Sequence, residues 1–207
     1  MQRVIGQLRF VARMVLLLLL TTGVMCYAFA QERVFQYVVK RNGDRIGDMV
    51  VKENKEGNRV TYKMQSAVKT SFLFTITARA LEEAVYENGI LTYSHFYQKV
   101  NSNERVNTEI QASRNGYVVI SKQDVSALKS YPITYNMVRL YTTEPLHQAS
   151  VFADKFQRFV SIETIHPHQY KITFPDGNYN EYQYQAGVCT LVKLNSTWFN
   201  AEMELKR

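Results

Sequence analysis

Residues 59–69 read RVTYKMQSAVK, with Val60, Tyr62, Met64, Ser66 and Val68 on one parity and Arg59, Thr61, Lys63, Gln65 and Lys69 on the other. Successive side chains leave a strand on opposite faces, so this period of two, with the charges on one side, predicts a half-solvated antiparallel strand. Upstream, Phe35, Tyr37 and Val39 alternate with Gln36, Val38 and Lys40, and Asn42-Gly43 offers two residues that tolerate positive φ before 45–52 returns. Downstream, Phe72, Phe74, Ile76, Ala78 and Ala80 continue the alternation of 59–69. Asn88-Gly89 turns the chain into 91–100. Val106, Thr108, Ile110 and Ala112 line a further strand, and Asn115-Gly116 turns it into 117–120. Three Asn-Gly turns between alternating segments make a meander the simplest topology.

The segment 131–145, YPITYNMVRLYTTEP, breaks the alternation. Ile133, Met137, Leu140 and Tyr141 fall at i, i+4, i+7 and i+8, the spacing of one helical face. Pro132 suits a first turn and Pro145 ends one, which predicts a short helix or structured crossover between two β halves. Beyond it the β pattern resumes over 159–165 and at Tyr170, Ile172 and Phe174. Pro175-Asp176-Gly177-Asn178 suits a type I turn with glycine in the left-handed region. Tyr182 and Tyr184, then 188–194, and finally Phe199, Ala201, Met203 and Leu205 complete the alternating segments. The fold class is therefore all-β and mainly antiparallel, about a dozen strands in a strongly curved sheet or open barrel-like meander, or in two packed sheets, with one short central helix or crossover.

The first thirty residues read as an address. Arg3, Arg9 and Arg13 precede an apolar stretch, and Ala28-Phe29-Ala30 puts small residues before Gln31, the three-part pattern of a secretory signal peptide. The apolar run 14–25 is shorter than the roughly 20 residues of a membrane span, and Met25 before Cys26 argues against a lipoprotein signal. The expected organisation is a cleavable leader, 1–30, and one β-rich domain, 31–207, exported and periplasmic or secreted, with no membrane span after cleavage. The leader holds three of the 25 basic residues and none of the 18 acidic ones, so the remainder carries a net charge of only +4. Without a basic run interleaved with aromatics, nucleic-acid binding is not expected. Cys189 is left alone, so no intrachain disulfide is expected and burial must hold the domain together.

Three stretches, FQYVVKRNGDRIGDM (35–49), YNMVRLYTTEP (135–145) and YKITFPDGNYNEYQYQAGVC (170–189), resemble an exported bacterial family catalogued as a domain of unknown function. That family is itself similar to a broader group of uncharacterised periplasmic β-rich proteins. The resemblance covers nearly the whole of 31–207 and implies a secreted, β-dominated single domain. It carries over no catalytic residue.

Candidate sites are few. His166-Pro167-His168 puts two imidazoles at i, i+2, which on an extended chain point the same way. His95, His147 or Glu163 are the third ligands a metal would need, and a proline-marked turn is the simpler reading. No nucleophile elbow, phosphate loop or zincin helix is present, so no enzymatic activity and no cofactor are expected, and a hydrolase whose site assembles from distant positions is a distant third reading. Carboxylates such as Glu82, Glu83 and Asp124 read as ordinary surface groups with no pair singled out. Arg139, flanked by Tyr135 and Tyr141, has a planar fork suited to an anionic head group or carboxylate, against a structural role bonding backbone carbonyls. Fourteen tyrosines and eleven phenylalanines would pack on strands or line an apolar cavity on the concave side of the sheet. The expected function is binding of a lipid or other hydrophobic ligand there. The rival is a non-catalytic structural module of the envelope that meets a protein partner through an exposed strand or loop.

Overall fold

Asn42 and Gly43 take φ of 52° and 89°, and Asn88 and Gly89 take 51° and 79°. These are the paired positive values of a two-residue turn whose twist matches its flanking strands. The structure, a computed structural model, describes residues 31–71, 75–122, 124–130, 132–197 and 199–206. The leader, Phe72 and Phe74 lie outside the described residues. The two turns join β1 (Gln31–Arg41) to β2 (Asp44–Glu56) and β4 (Thr75–Glu87) to β5 (Ile90–Val100), with β3 (Arg59–Ser71) between them. Ile76, Ala78 and Ala80 belong to β4, a separate strand antiparallel to β3, rather than to a continuation of it. Asn101 and Ser102, at 49° and 69°, turn β5 into β6 (Asn103–Ser113) without a glycine. β7 (Gly116–Ser121) and β8 (Val125–Leu128) end this first meander.

A second meander runs through β9 (Ser150–Ala153), β10 (Arg158–His166), β11 (Gln169–Thr173), β12 (Tyr179–Gln185), β13 (Val188–Asn195) and β14 (Ala201–Leu205). β14 pairs antiparallel with β1, Val39 opposite Met203. The fourteen strands thus make one curved, open antiparallel sheet whose middle is β1–β14 and whose outer strands are β8 and β9. Those two outer strands are consecutive in sequence, so the chain between them, 129–149, must cross from one end of the sheet to the other.

It crosses inside. Ile133, Tyr135, Asn136, Val138, Leu140 and Tyr141 are buried against the inward side chains of the sheet, among them Tyr37, Met49, Tyr62, Tyr86 and Tyr182. The expected helix is only a 3-10 turn at Met137–Tyr141, and Pro132 lies outside any regular element, well before it. The physical reason is that the strap spends its backbone groups on the walls instead of on a helical ladder. Ile133 O accepts from Leu91 N at 2.8 Å, Ile133 N donates to the Tyr117 phenol at 2.8 Å, and Tyr135 O accepts from Phe152 N at 2.9 Å. The Tyr184 phenol donates to Leu140 O at 2.8 Å, and Tyr37 donates to Tyr141 O and Cys189 O at 3.1 and 2.8 Å. An interior of alternating aromatics thereby gains polar tips that satisfy an irregular strap, which a purely aliphatic wall could not do.

Candidate functional site

A cavity of about 310 Å³ remains between the strap and the sheet. Its apolar lining comes from Met64 on β3, Phe96 on β5, Met137 and Tyr141 on the strap, Phe174 after β11 and Phe199 before β14. Phe156 and Phe174 stack at 5.6 Å with planes 24° apart, giving one wall a flat face. Polar groups gather towards the turns at one end, where Asp176, Asn178, Asn195, Ser196 and Lys155 contribute. Lys155 reaches Asp176 at 3.9 Å and lies 4.8 Å from the Phe156 ring centre.

The rest of the polar lining is Gln98 on β5, Asn180 on β12 and two acids, Glu82 on β4 and Asp154 just after β9. The two acids are 3 % and 2 % exposed, which for carboxylates signals either pairing or a task. The correction to the surface reading of Glu82 follows from register. Ala80, Glu82, Ala84 and Tyr86 share a parity, and on β4 that parity faces inward. Glu82 Oε1 accepts from Val138 N at 3.1 Å and from Asn136 Nδ2 at 3.5 Å. The same amide nitrogen donates to Asp154 Oδ2 at 3.0 Å, while Asn136 Oδ1 accepts from the Tyr86 phenol at 2.7 Å. Tyr86 therefore fixes which way the Asn136 amide faces, aiming its donors at the two acids.

Burial, and then the neighbouring Asp154, push the Glu82 carboxyl well above its ordinary range. Burial likewise pushes Asp154 up to about 6, against the pull of nearby Ser94 and Asn136. Two acids sharing one dry site cannot both ionise cheaply, so the pair retains a proton towards neutral pH. Asp154 Oδ1 and Ser94 Oγ have no partner at hydrogen-bonding geometry among the described residues. Cys189 is inert by comparison, buried and with its thiol pushed up to about 12 by that burial.

Of the residues singled out by sequence, Tyr141 lines the cavity, whereas Arg139 and Tyr135 do not. Arg139 sits over the rings of Tyr86 and Tyr135, 5.0 Å from each centre, and donates to Thr134 O. Tyr135 is buried and donates to Thr143 O. His166 ends β10 and His168 sits in the following turn with φ of 61°, so the pair lies in a proline-marked turn and not on one extended chain. His168 Nδ1 instead lies 2.9 Å from Glu144, which also accepts from the Tyr170 phenol at 2.8 Å. Among the described residues no cluster of three or more His, Cys, Asp or Glu side chains could hold a metal ion.

Comparison with known proteins bears on the frame, not on the cavity. Residues 37–206 match a family described as a domain of unknown function, DUF6134. A crystal structure of a beta-barrel-like protein of another domain of unknown function, DUF1849, from Brucella abortus is similar at a TM-score of 0.55 and 12 % identity. The likeness covers 87 % of this chain and 97 % of that one, and at such identity it speaks for the fold alone. No curated protein matches.

Proposed function

Because the chain belongs to the DUF6134 family, whose description carries no chemistry, we propose from the cavity that this protein binds a small hydrophobic or amphipathic ligand on the concave side of its sheet. The observation that carries this reading is the cavity of about 310 Å³, lined by Met64, Phe96, Met137, Phe174 and Phe199. Ligand sites are concave and mainly apolar, with a few convergent polar groups, and their volumes begin at roughly 300 Å³. Most of the interior is already filled by the strap, so the ligand is small: a short-chain amphiphile rather than a whole phospholipid. The leader pattern of 1–30 supports an exported, envelope location for this binding. Among the described residues no helix is long and apolar enough to cross a membrane.

The test is native mass spectrometry of the protein purified gently from its own cells, followed by organic extraction. A releasable small-molecule adduct that disappears in Ala80→Phe, which places a ring in the cavity wall, supports binding. A clean protein mass that persists after challenge with short-chain amphiphiles removes this reading. It leaves the rival, an envelope interaction module with a self-filled lumen, which the burial of Ile133, Leu140 and Tyr141 supports. The same spectra give the N-terminus, and a chain starting at Gln31 is the expected form.

A further inference from the structure

We propose that the ligand of this cavity carries a cationic, hydrogen-bond-donating end, as an alkylammonium does, which sits against Asp154 and Glu82 while its chain lies among Met64, Phe96 and Phe174. The inference rests on the cavity being a ligand site and adds the chemistry of the ligand. Both acids belong to the lining, yet no lysine, arginine or histidine lies within salt-bridge distance of either among the described residues. The cation at the cavity's polar end, Lys155, is engaged by Asp176 and the Phe156 ring. Arg139 is held over tyrosine rings and bonded to the strap backbone.

Asn136 and Val138 supply Glu82 Oε1 and Asp154 Oδ2, and Tyr86 prevents the Asn136 amide from turning over. Asp154 Oδ1 has no donor at hydrogen-bonding geometry, and the nearby Ser94 hydroxyl is equally unpaired, an unsatisfied arrangement that is costly in a side chain 2 % exposed. If these groups served only to anchor the strap, amides would do it without burying acids. A ligand bringing positive charge and N–H donors supplies both at once, whereas a carboxylate or phosphate head would meet two acids here and a lysine, Lys155, already engaged by Asp176.

The test titrates the full chain calorimetrically with three probes of one chain length: octylammonium, octanol and octanoate. The expected order is octylammonium tightest, by about tenfold or more over octanol, with octanoate weakest. Asp154→Asn, checked for an unchanged or raised melting temperature, should abolish the preference for the amine over octanol, and Glu82→Gln should reduce it. Octanoate binding as well as octylammonium, or an amine preference that survives in both variants, overturns the proposal. Octanol binding with no preference for the amine overturns it while leaving the cavity as a hydrophobic site. If none of the three binds, the ligand-site reading falls with it.

Discussion

Glu82 of the sheet accepts the backbone N–H of Val138 at 3.1 Å, so one inward carboxyl on β4 holds the start of the strap's 3-10 turn. That contact joins residues 56 positions apart. Glu82→Ala removes the acceptor and opens space beside the cavity, leaving a buried N–H without a partner. The expected cost is about 2–3 kcal/mol of unfolding free energy. Glu82→Gln keeps an acceptor and sheds the charge, so it should be as stable as the parent or more so at neutral pH. Urea unfolding of the three proteins decides it, and Gln as damaging as Ala would show the charge itself to be essential.

The pair also sets a direction for pH dependence. Both carboxyls have folded-state pKa values raised above the ordinary carboxylate range, Asp154 to about 6. Between the unfolded and folded values the native state binds more protons than the unfolded chain, so stability falls as pH rises. This contribution is full below the unfolded pKa, near 4, and is lost as pH climbs through 6 and above. Urea midpoints from about pH 4 to pH 8 should carry a declining component that the Glu82→Gln, Asp154→Asn double variant lacks. A double variant with the parent's profile would place the titrating groups elsewhere.

The sheet was legible in the sequence and the site was not, for reasons visible in particular residues. Alternation over 59–69 and the Asn-Gly pairs at 42 and 88 act locally, through strand parity and positive φ, and they yield antiparallel hairpins in the structure. Segment 131–145 shows helical spacing, yet its partners are Leu91, Tyr117, Tyr184 and Phe152, all distant in sequence, and those tertiary bonds displace the helix. Glu82 was the missed signal. It stands on the same parity as Ala78, Ala80, Ala84 and Tyr86, so an acid on the inward register of β4 could have been noticed. Asp154 follows an unpatterned stretch in a short 3-10 turn, and no spacing in the chain links it to Glu82.

Gly47 is required by close approach rather than by its own φ. A Cβ there would lie 2.1 Å from Ala67 O and 2.8 Å from Val68 Cα, both backbone atoms of β3 that cannot step aside. It sits where the β1–β2 register shifts between Val39 and Lys40. Gly47→Ala should therefore either fail to accumulate as folded protein or lose more than about 3 kcal/mol, read by far-ultraviolet circular dichroism and urea unfolding. Gly57, where nothing lies within 4 Å of such a Cβ, is the control and should lose only the smaller cost of its φ of 59°. Equal losses at both positions would rule out crowding as the cause.

Tyr37 and Tyr184 tie adjacent strap carbonyls, Tyr141 O and Leu140 O, from opposite sides of the β1–β14 seam, and Tyr37 reaches Cys189 O as well. Both rings are buried, and burial holds both phenols far above the ordinary tyrosine range, so they act as un-ionised donors. Tyr→Phe at either position keeps the ring and deletes the donor, leaving carbonyls in a dry interior. Each should cost about 1–3 kcal/mol, with Tyr37 the more expensive because two acceptors lose their donor. The two bonds hold neighbouring residues of one 3-10 turn, so once one is cut the turn relaxes and the second is worth less. The double variant should therefore lose less than the sum of the single losses, by about 0.5 kcal/mol or more. Strict additivity in a double-mutant cycle would mean that the sheet holds the strap at independent points instead of as one anchored turn.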